Sequence, residues 1–159
     1  MNMVEFQKMP YVRPDMEALK ACTEKTIEIL KGAASYEAAR TAFFALQDEE
    51  EKAGTMMSLC HVRNTIDTTD AFYEGEVKWL REQNAAMIPL RKAYREALAA
   101  SPFRPQFEAE FGPQMFRMID ASLKTSDERI IPDVIREGEL SQKYQKDSAL
   151  AVTEFRGEQ

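Results

Sequence analysis

The chain has 159 residues and a mass of 18.2 kDa, enough for one ordinary domain, or two very small ones, and a single domain of this size buries roughly 70% of the surface its unfolded form exposes. Hydrophobic residues make up 44% and charged residues 30%, the balance of a folded chain rather than a disordered one. Twenty-one Lys and Arg against 27 Asp and Glu leave −6, which argues against sequence-independent binding to nucleic acid, and no apolar run approaches the roughly 20 residues of a membrane span.

Twenty Ala and ten Leu outnumber fourteen Ile and Val, and Gly and Pro together are only thirteen. That balance favours helix, because Ala and Leu lose little side-chain entropy there. The first residues have no apolar run behind them and do not read as a secretory signal. Residues 1–14 are an extended leader, with Pro10 and Pro14 as stops. A first helix follows Asp15, with Leu19, Cys22, Thr26 and Ile29 or Leu30 on one face and Gly32 at its end. Ser35 is the N-cap of a second helix carrying Tyr36, Ala39, Phe43 and Leu46 inward; the acidic run Asp48-Glu49-Glu50-Glu51 ends it as a solvated feature. A third helix starts near Thr55, facing inward with Met56, Leu59, Val62 or Arg63, and Ile66.

Thr68 or Thr69 caps a fourth helix, with Phe72 or Tyr73, Val77 and Leu80 inward. Asn84 and Pro89 break the pattern before a segment carrying Leu90, Tyr94 and Leu98. Ser101-Pro102-Phe103-Arg104 is a turn into a short helix that reaches Phe111-Gly112. Another helix places Met115, Met118 or Ile119, and Ser122 inward, and Ser126 opens a last one running past Tyr144. Residues 150–159 alternate apolar and polar positions like one short strand, without a partner in an otherwise helical chain. The expectation is an all-α array of about seven helices with short connections, plus this orphan strand-like segment, which predicts that the polypeptide continues.

The residue inventory excludes most enzyme chemistries. His61 is the single histidine, so no site of several imidazoles, no His-Glu-x-x-His pair and no di-iron Glu-x-x-His set exists in the chain. Neither a dinucleotide-binding Gly-x-Gly-x-x-Gly nor a phosphate loop is present. Cys22 and Cys60 lie on apolar faces and read as thiols in a reducing compartment, which makes the cytoplasm the default address. The methionine pairs Met56/Met57 and Met115/Met118 read as core packing.

The segment from His61 to Tyr73 is denser in polar specificity than a core helix needs. The plain reading is a helix end and a capped helix start, with Arg63 paired to Asp67 or Asp70. The sharper reading is a polar junction facing a cleft or another domain.

That segment carries a resemblance. Phe6-Gln7-Lys8-Met9-Pro10-Tyr11-Val12-Arg13-Pro14-Asp15 resembles the opening of bacterial M3-family oligoendopeptidases of the oligoendopeptidase F type. Arg63-Asn64-Thr65-Ile66-Asp67-Thr68, with Asp70, Phe72 and Tyr73, resembles the next landmark of that family. Ser101-Pro102-Phe103-Arg104, Phe111-Gly112 and Phe155-Arg156-Gly157-Glu158 follow in the expected order. The resemblance implies a part of a zinc metallopeptidase that cleaves short peptides in a channel between two helical halves. The zinc of such enzymes is held by a His-Glu-x-x-His helix and a downstream Glu, none of which this chain contains, so no catalytic and no metal residue is carried over.

The implied organisation is therefore a leader at 1–14, a helical domain at 15–149, and a strand-like segment at 150–159 leading to a catalytic domain of the same polypeptide. The domain is expected to form one wall of the peptide channel, with Arg63, Asn64, Asp67, Asp70 and Tyr73 as its polar groups, and to be inactive by itself. No cofactor belongs to this chain, zinc is expected in the full-length protein, and its partners are the catalytic domain and short peptides, with no nucleic acid and no membrane. The alternative is a free-standing helical module that binds a protein or peptide and catalyses nothing. A hydrolase working through carboxylates alone is the third reading.

Overall fold

A computed structural model describes residues 8–125 and 128–149. Seven α-helices follow in chain order: α1 (Met16–Gly32), α2 (Tyr36–Ile66), α3 (Ala71–Ala86), α4 (Ile88–Ala99), α5 (Arg104–Phe111), α6 (Pro113–Thr125) and α7 (Ile131–Ala149), the last preceded by a 3₁₀ turn at Glu128–Ile130. No strand occurs among the described residues, and the architecture is all-α. Residues 150–159, where the orphan strand was expected, and Ser126 lie outside the described residues.

Local chemistry sets most boundaries. The Asp15 carboxylate accepts from the Ala18 amide at 2.9 Å, and the Ser35 hydroxyl from the Ala38 amide at 3.3 Å, each satisfying a donor that the first helical turn leaves unpaired. Asp70, rather than Thr68 or Thr69, caps α3, accepting from Phe72 and Tyr73 at 2.8 and 3.3 Å. Pro89 cannot donate to a preceding turn, so α3 stops and α4 restarts at Ile88 with the proline in its first turn. Gly112, at φ 85°, closes α5 in a conformation that side chains disfavour, and Pro113 begins α6. Pro132 likewise falls in the first turn of α7, which begins at Ile131 directly after the 3₁₀ turn.

One expected boundary is absent. The predicted second and third helices are a single 31-residue helix, and the acidic run Asp48 to Glu51 lies in its middle. Glu is a good helix former, and Lys52 pairs with Glu49 three residues back at 2.7 Å. Gly54 lies in the same helix, where a side chain would meet only open space.

The core joins the helices in three clusters. Ile27, Leu30, Ala39, Phe43, Ala97, Leu98, Phe107 and Phe116 form the largest, where α1, α2, α4, α5 and α6 meet. Met16, Leu19, Leu46, Ala53 and Met87 make a second, and Cys60, Val77 and Leu80 a third between α2 and α3. On the predicted faces of α1 and of the first half of α2, Leu19, Thr26, Leu30, Ala39, Phe43 and Leu46 are buried, and Cys22 and Tyr36 are half-buried. Ile66 faces outward instead, and of the paired alternatives Arg63, Tyr73 and Ile119 are half-buried while Val62, Phe72 and Met118 face outward. Asn64 takes the buried position on α2, and Ile66, two residues and about 200° further round, turns into solvent at 77% exposure. On α6 the inward position belongs to Phe116, so Met118 points away for the same reason.

Arg104 ties α5 to α6. It reaches Glu108 and Asp120 at 2.9 Å each and lies 4.6 Å over the Phe116 ring. By contrast, α7 buries no residue. It rests on α3 through Arg81–Gln142 at 3.0 Å, Lys146–Glu74 at 2.9 Å, and Gly138, whose missing side chain leaves room for Arg81.

Candidate functional site

The five residues singled out in the sequence surround the α2–α3 corner, and the segment 8–15 crosses beside them. Arg63, in the last turn of α2, donates to the Tyr73 hydroxyl at 2.6 Å and to the Met9 carbonyl at 2.5 Å. Its guanidinium also faces the Tyr73 ring at 5.6 Å. The plain expectation of an Arg63 pair with Asp67 or Asp70 is thus replaced by contacts to a hydroxyl and a backbone carbonyl. Asp67 accepts from the Thr69 hydroxyl at 2.6 Å and from its amide at 2.9 Å, and these bonds hold its carboxyl below the usual range. Asp70 is occupied in capping α3. Asn64 is buried under α7 beside Thr68, Glu74 and Gln142, and its side-chain oxygen has no hydrogen-bond partner among the described residues. Arg63 and Tyr73 therefore act together, Asp67 and Asp70 shape the corner, and Asn64 faces a different side.

A stronger polar centre lies next to this group, and sequence reasoning missed it. Glu76 on α3 is only 3% exposed. Its carboxylate accepts from the Tyr11 hydroxyl at 2.7 Å and from Arg13 Nε at 3.0 Å, with a second contact from Arg13 Nη2. The Arg13 bonds hold Glu76 below the ordinary carboxylate value and outweigh the opposing effect of its burial. Burial, assisted by the Glu76 bond, pushes the Tyr11 hydroxyl well above its ordinary value. Arg13 also lies 4.6 Å over the Trp79 ring, and Tyr11 meets Phe72 and Tyr73 edge-on at 6.1 and 5.7 Å. The available signal was an acid inside an apolar stripe: Glu76 falls between Tyr73, Val77 and Leu80 at helical spacing.

None of these groups forms a nucleophile–base pair. Cys60 is fully buried, and burial raises its thiol above the usual value, which disfavours the reactive thiolate. His61 is exposed. Among the described residues no group of three or more His, Cys, Asp and Glu side chains is placed to hold a metal ion, so these residues do not fit a zinc site.

Residues 6–126 match the profile of the Peptidase M3 N-terminal domain. The chain belongs to this family. This M3 N-terminal domain is also similar along its whole length to solved peptidases. A PZ peptidase A solved with an inhibitor is 34% identical at a TM-score of 0.89, over 97% of this chain and 27% of that one. Two proteins assigned as oligoendopeptidase F, the second from Bacillus anthracis str. Ames, are 33% and 32% identical at TM-scores of 0.90 and 0.89. They are covered over 28% and 29% of their length by 98% and 99% of this chain. The M3 domain thus spans a little over a quarter of these structures. No curated protein matches it. The family match takes in the Tyr11–Glu76–Arg13 centre and the α2–α3 corner, whereas α7 lies beyond it.

Proposed function

We propose that this domain forms one wall of the substrate channel of an M3 metallopeptidase and is non-catalytic by itself. Its partners are the catalytic remainder of such an enzyme, entered through residues 150–159, and short peptides. The observation that carries the reading is the near-complete likeness to peptidases of which it covers just over a quarter. Zinc belongs to the remainder of such an enzyme. The corner of Arg63 and Tyr73, with Asp67 and Asp70 shaping it, supplies the polar part of the wall, and Asn64, buried under α7, stands apart from it. No helix of the described residues is long and apolar enough to cross a membrane, and both cysteines are free thiols, which supports a cytoplasmic setting.

The test is peptide hydrolysis by three preparations: this chain, the catalytic part of an M3 peptidase without its own N-terminal domain, and the two joined in one polypeptide. The expected outcome is no turnover by the chain and, in the joined protein, a preference for short peptides that the catalytic part lacks. Turnover by the chain alone refutes the non-catalytic role. Identical length profiles with and without it refute the wall.

A second reading, a free-standing interaction module, draws support from Val134, Leu140 and Tyr144, which α7 leaves exposed. Joining the domain to the catalytic part then leaves hydrolysis unaltered.

A further inference from the structure

We propose that the groove between the segment 8–15 and α2 binds an extended peptide carrying a large apolar side chain next to a cationic one. The proposal rests on the channel-wall reading and names where that wall meets its substrate.

The segment 9–15 runs outside any helix, and alternate side chains of an extended chain point to opposite sides. Tyr11 and Arg13 turn to α3 and are fixed there by Glu76. Pro10 and Val12 turn the other way, into an open groove of about 610 Å³ whose far side is α2. Val12 stays 64% exposed there, a large apolar side chain held away from the core by the anchoring of its neighbours.

The groove combines two chemistries. Met9, Pro10, Val12 and Met56 make its surface predominantly apolar, and the methionines adapt to side chains of varied shape. Asp48 and Glu51 stand at its rim. Lys52 at the same rim is already paired with Glu49, whereas neither Asp48 nor Glu51 forms an ion pair among the described residues. The rim is therefore net acidic in a chain that is itself at −6, and the complementary ligand is cationic beside its apolar anchor.

Backbone chemistry selects the extended form. Among the described residues, residues 9–14 make no backbone–backbone hydrogen bond. Pro10 and Pro14 have no N–H and the Val12 amide is donated to Met56, so an extended peptide pairs here through backbone carbonyls and the Tyr11 and Arg13 amides. Arg63, by holding the Met9 carbonyl, and Met56, whose sulfur accepts from the Val12 amide at 3.4 Å, fix the lip at both ends. Arg63 is a positioning residue in this scheme.

The test titrates the ¹⁵N-labelled 159-residue chain with an acetylated, amidated pentapeptide, Ala-Leu-Arg-Leu-Ala. Two control peptides carry Glu in place of Arg, or Ala in place of both Leu. Expected are amide shifts centred on Val12, Thr55 and Met56 with the first peptide, and binding at least about fivefold weaker for each control. The double variant Asp48→Lys/Glu51→Lys, altered only at exposed positions, is expected to reverse the preference between Arg and Glu. Equal binding of the Arg and Glu peptides, shifts centred elsewhere, or an unchanged preference in the double variant overturns the proposal. Concentration-dependent shifts at Val12 and Met56 without peptide also overturn it, because a second copy is then the occupant. Peptide binding here with an unaltered length profile in the joined enzyme removes the channel-wall reading and leaves the groove. The opposite pair of results removes the groove alone.

Discussion

Replacing Glu76 by Gln tests whether one buried carboxylate holds the leader on the helical body. The substitution keeps shape and an acceptor for the Tyr11 hydroxyl, while the charge that draws Arg13 disappears. Hydrogen bonds to a charged group contribute about 1.5–3 kcal/mol, and breaking a fully buried ion pair costs about 3–5 kcal/mol. Arg13 is 55% exposed, so the pair is only half desolvated and the lower range applies: about 2 kcal/mol is expected for Glu76→Gln. Trp79 is the single tryptophan and lies directly under the Arg13 guanidinium, so its fluorescence reports leader release as well as global unfolding. Urea unfolding at pH 7 measures the stability loss, and the emission of the native protein measures the altered Trp79 environment. The pH dependence gives a further readout. Glu76 titrates below its ordinary value near 4.5 when folded, so the unfolded chain takes up its proton first. The stabilisation is complete above that ordinary value and is lost as pH falls through the folded one. The Gln variant lacks this acid-side loss. A variant within about 0.5 kcal/mol of the original, with unchanged Trp79 emission and an unchanged acid limb, refutes the reasoning.

Phe107 is fully buried, with ring contacts to Tyr36 and Phe43 at 5.0 and 5.5 Å, so Phe107→Ala is expected to cost about 3–5 kcal/mol in chemical denaturation. The same variant lowers the melting temperature by about 10 °C in a domain of this size. Asp70→Ala removes the α3 cap and is expected to cost about 1 kcal/mol, which Asp70→Ser recovers because a hydroxyl caps as well; no recovery by Ser assigns Asp70 a role other than capping. A thiol reagent is expected to modify Cys22, which is partly exposed, in the native protein and Cys60 only after unfolding. Equal rates for the two thiols in the native state show that α2 and α3 separate readily.

Much of the architecture was legible because helix signals are local. Asp15, Ser35, Pro89 and Gly112 each act within about one turn of their own position, and each marks a boundary in the structure. Misreading arose where a local signal had two meanings. The run Asp48 to Glu51 is polar enough for a loop, yet Glu in series is also a competent exposed helix face, and the continuity of α2 decided between them. Periodicity predicted a stripe from Met56 to Ile66, but which of several nearby positions faces inward depends on the crossing of α2 with α3. Asn64 rather than Ile66 is buried there.

The candidate site was legible in part. The sequence identified the polar segment from Arg63 to Tyr73, and by resemblance the family, since both depend on residues close together along the chain. It did not show that Arg63 holds Met9, or that Tyr11 and Arg13 converge on Glu76, because those partners are 54, 65 and 63 residues apart. Nothing within a helical turn of Glu76 indicates what neutralises it. The sequence by itself therefore determined the helical class, most helix ends and the family. Only the tertiary structure decided which acid anchors the leader and which faces remain open, because burial and long-range pairing exist only once the helices have packed.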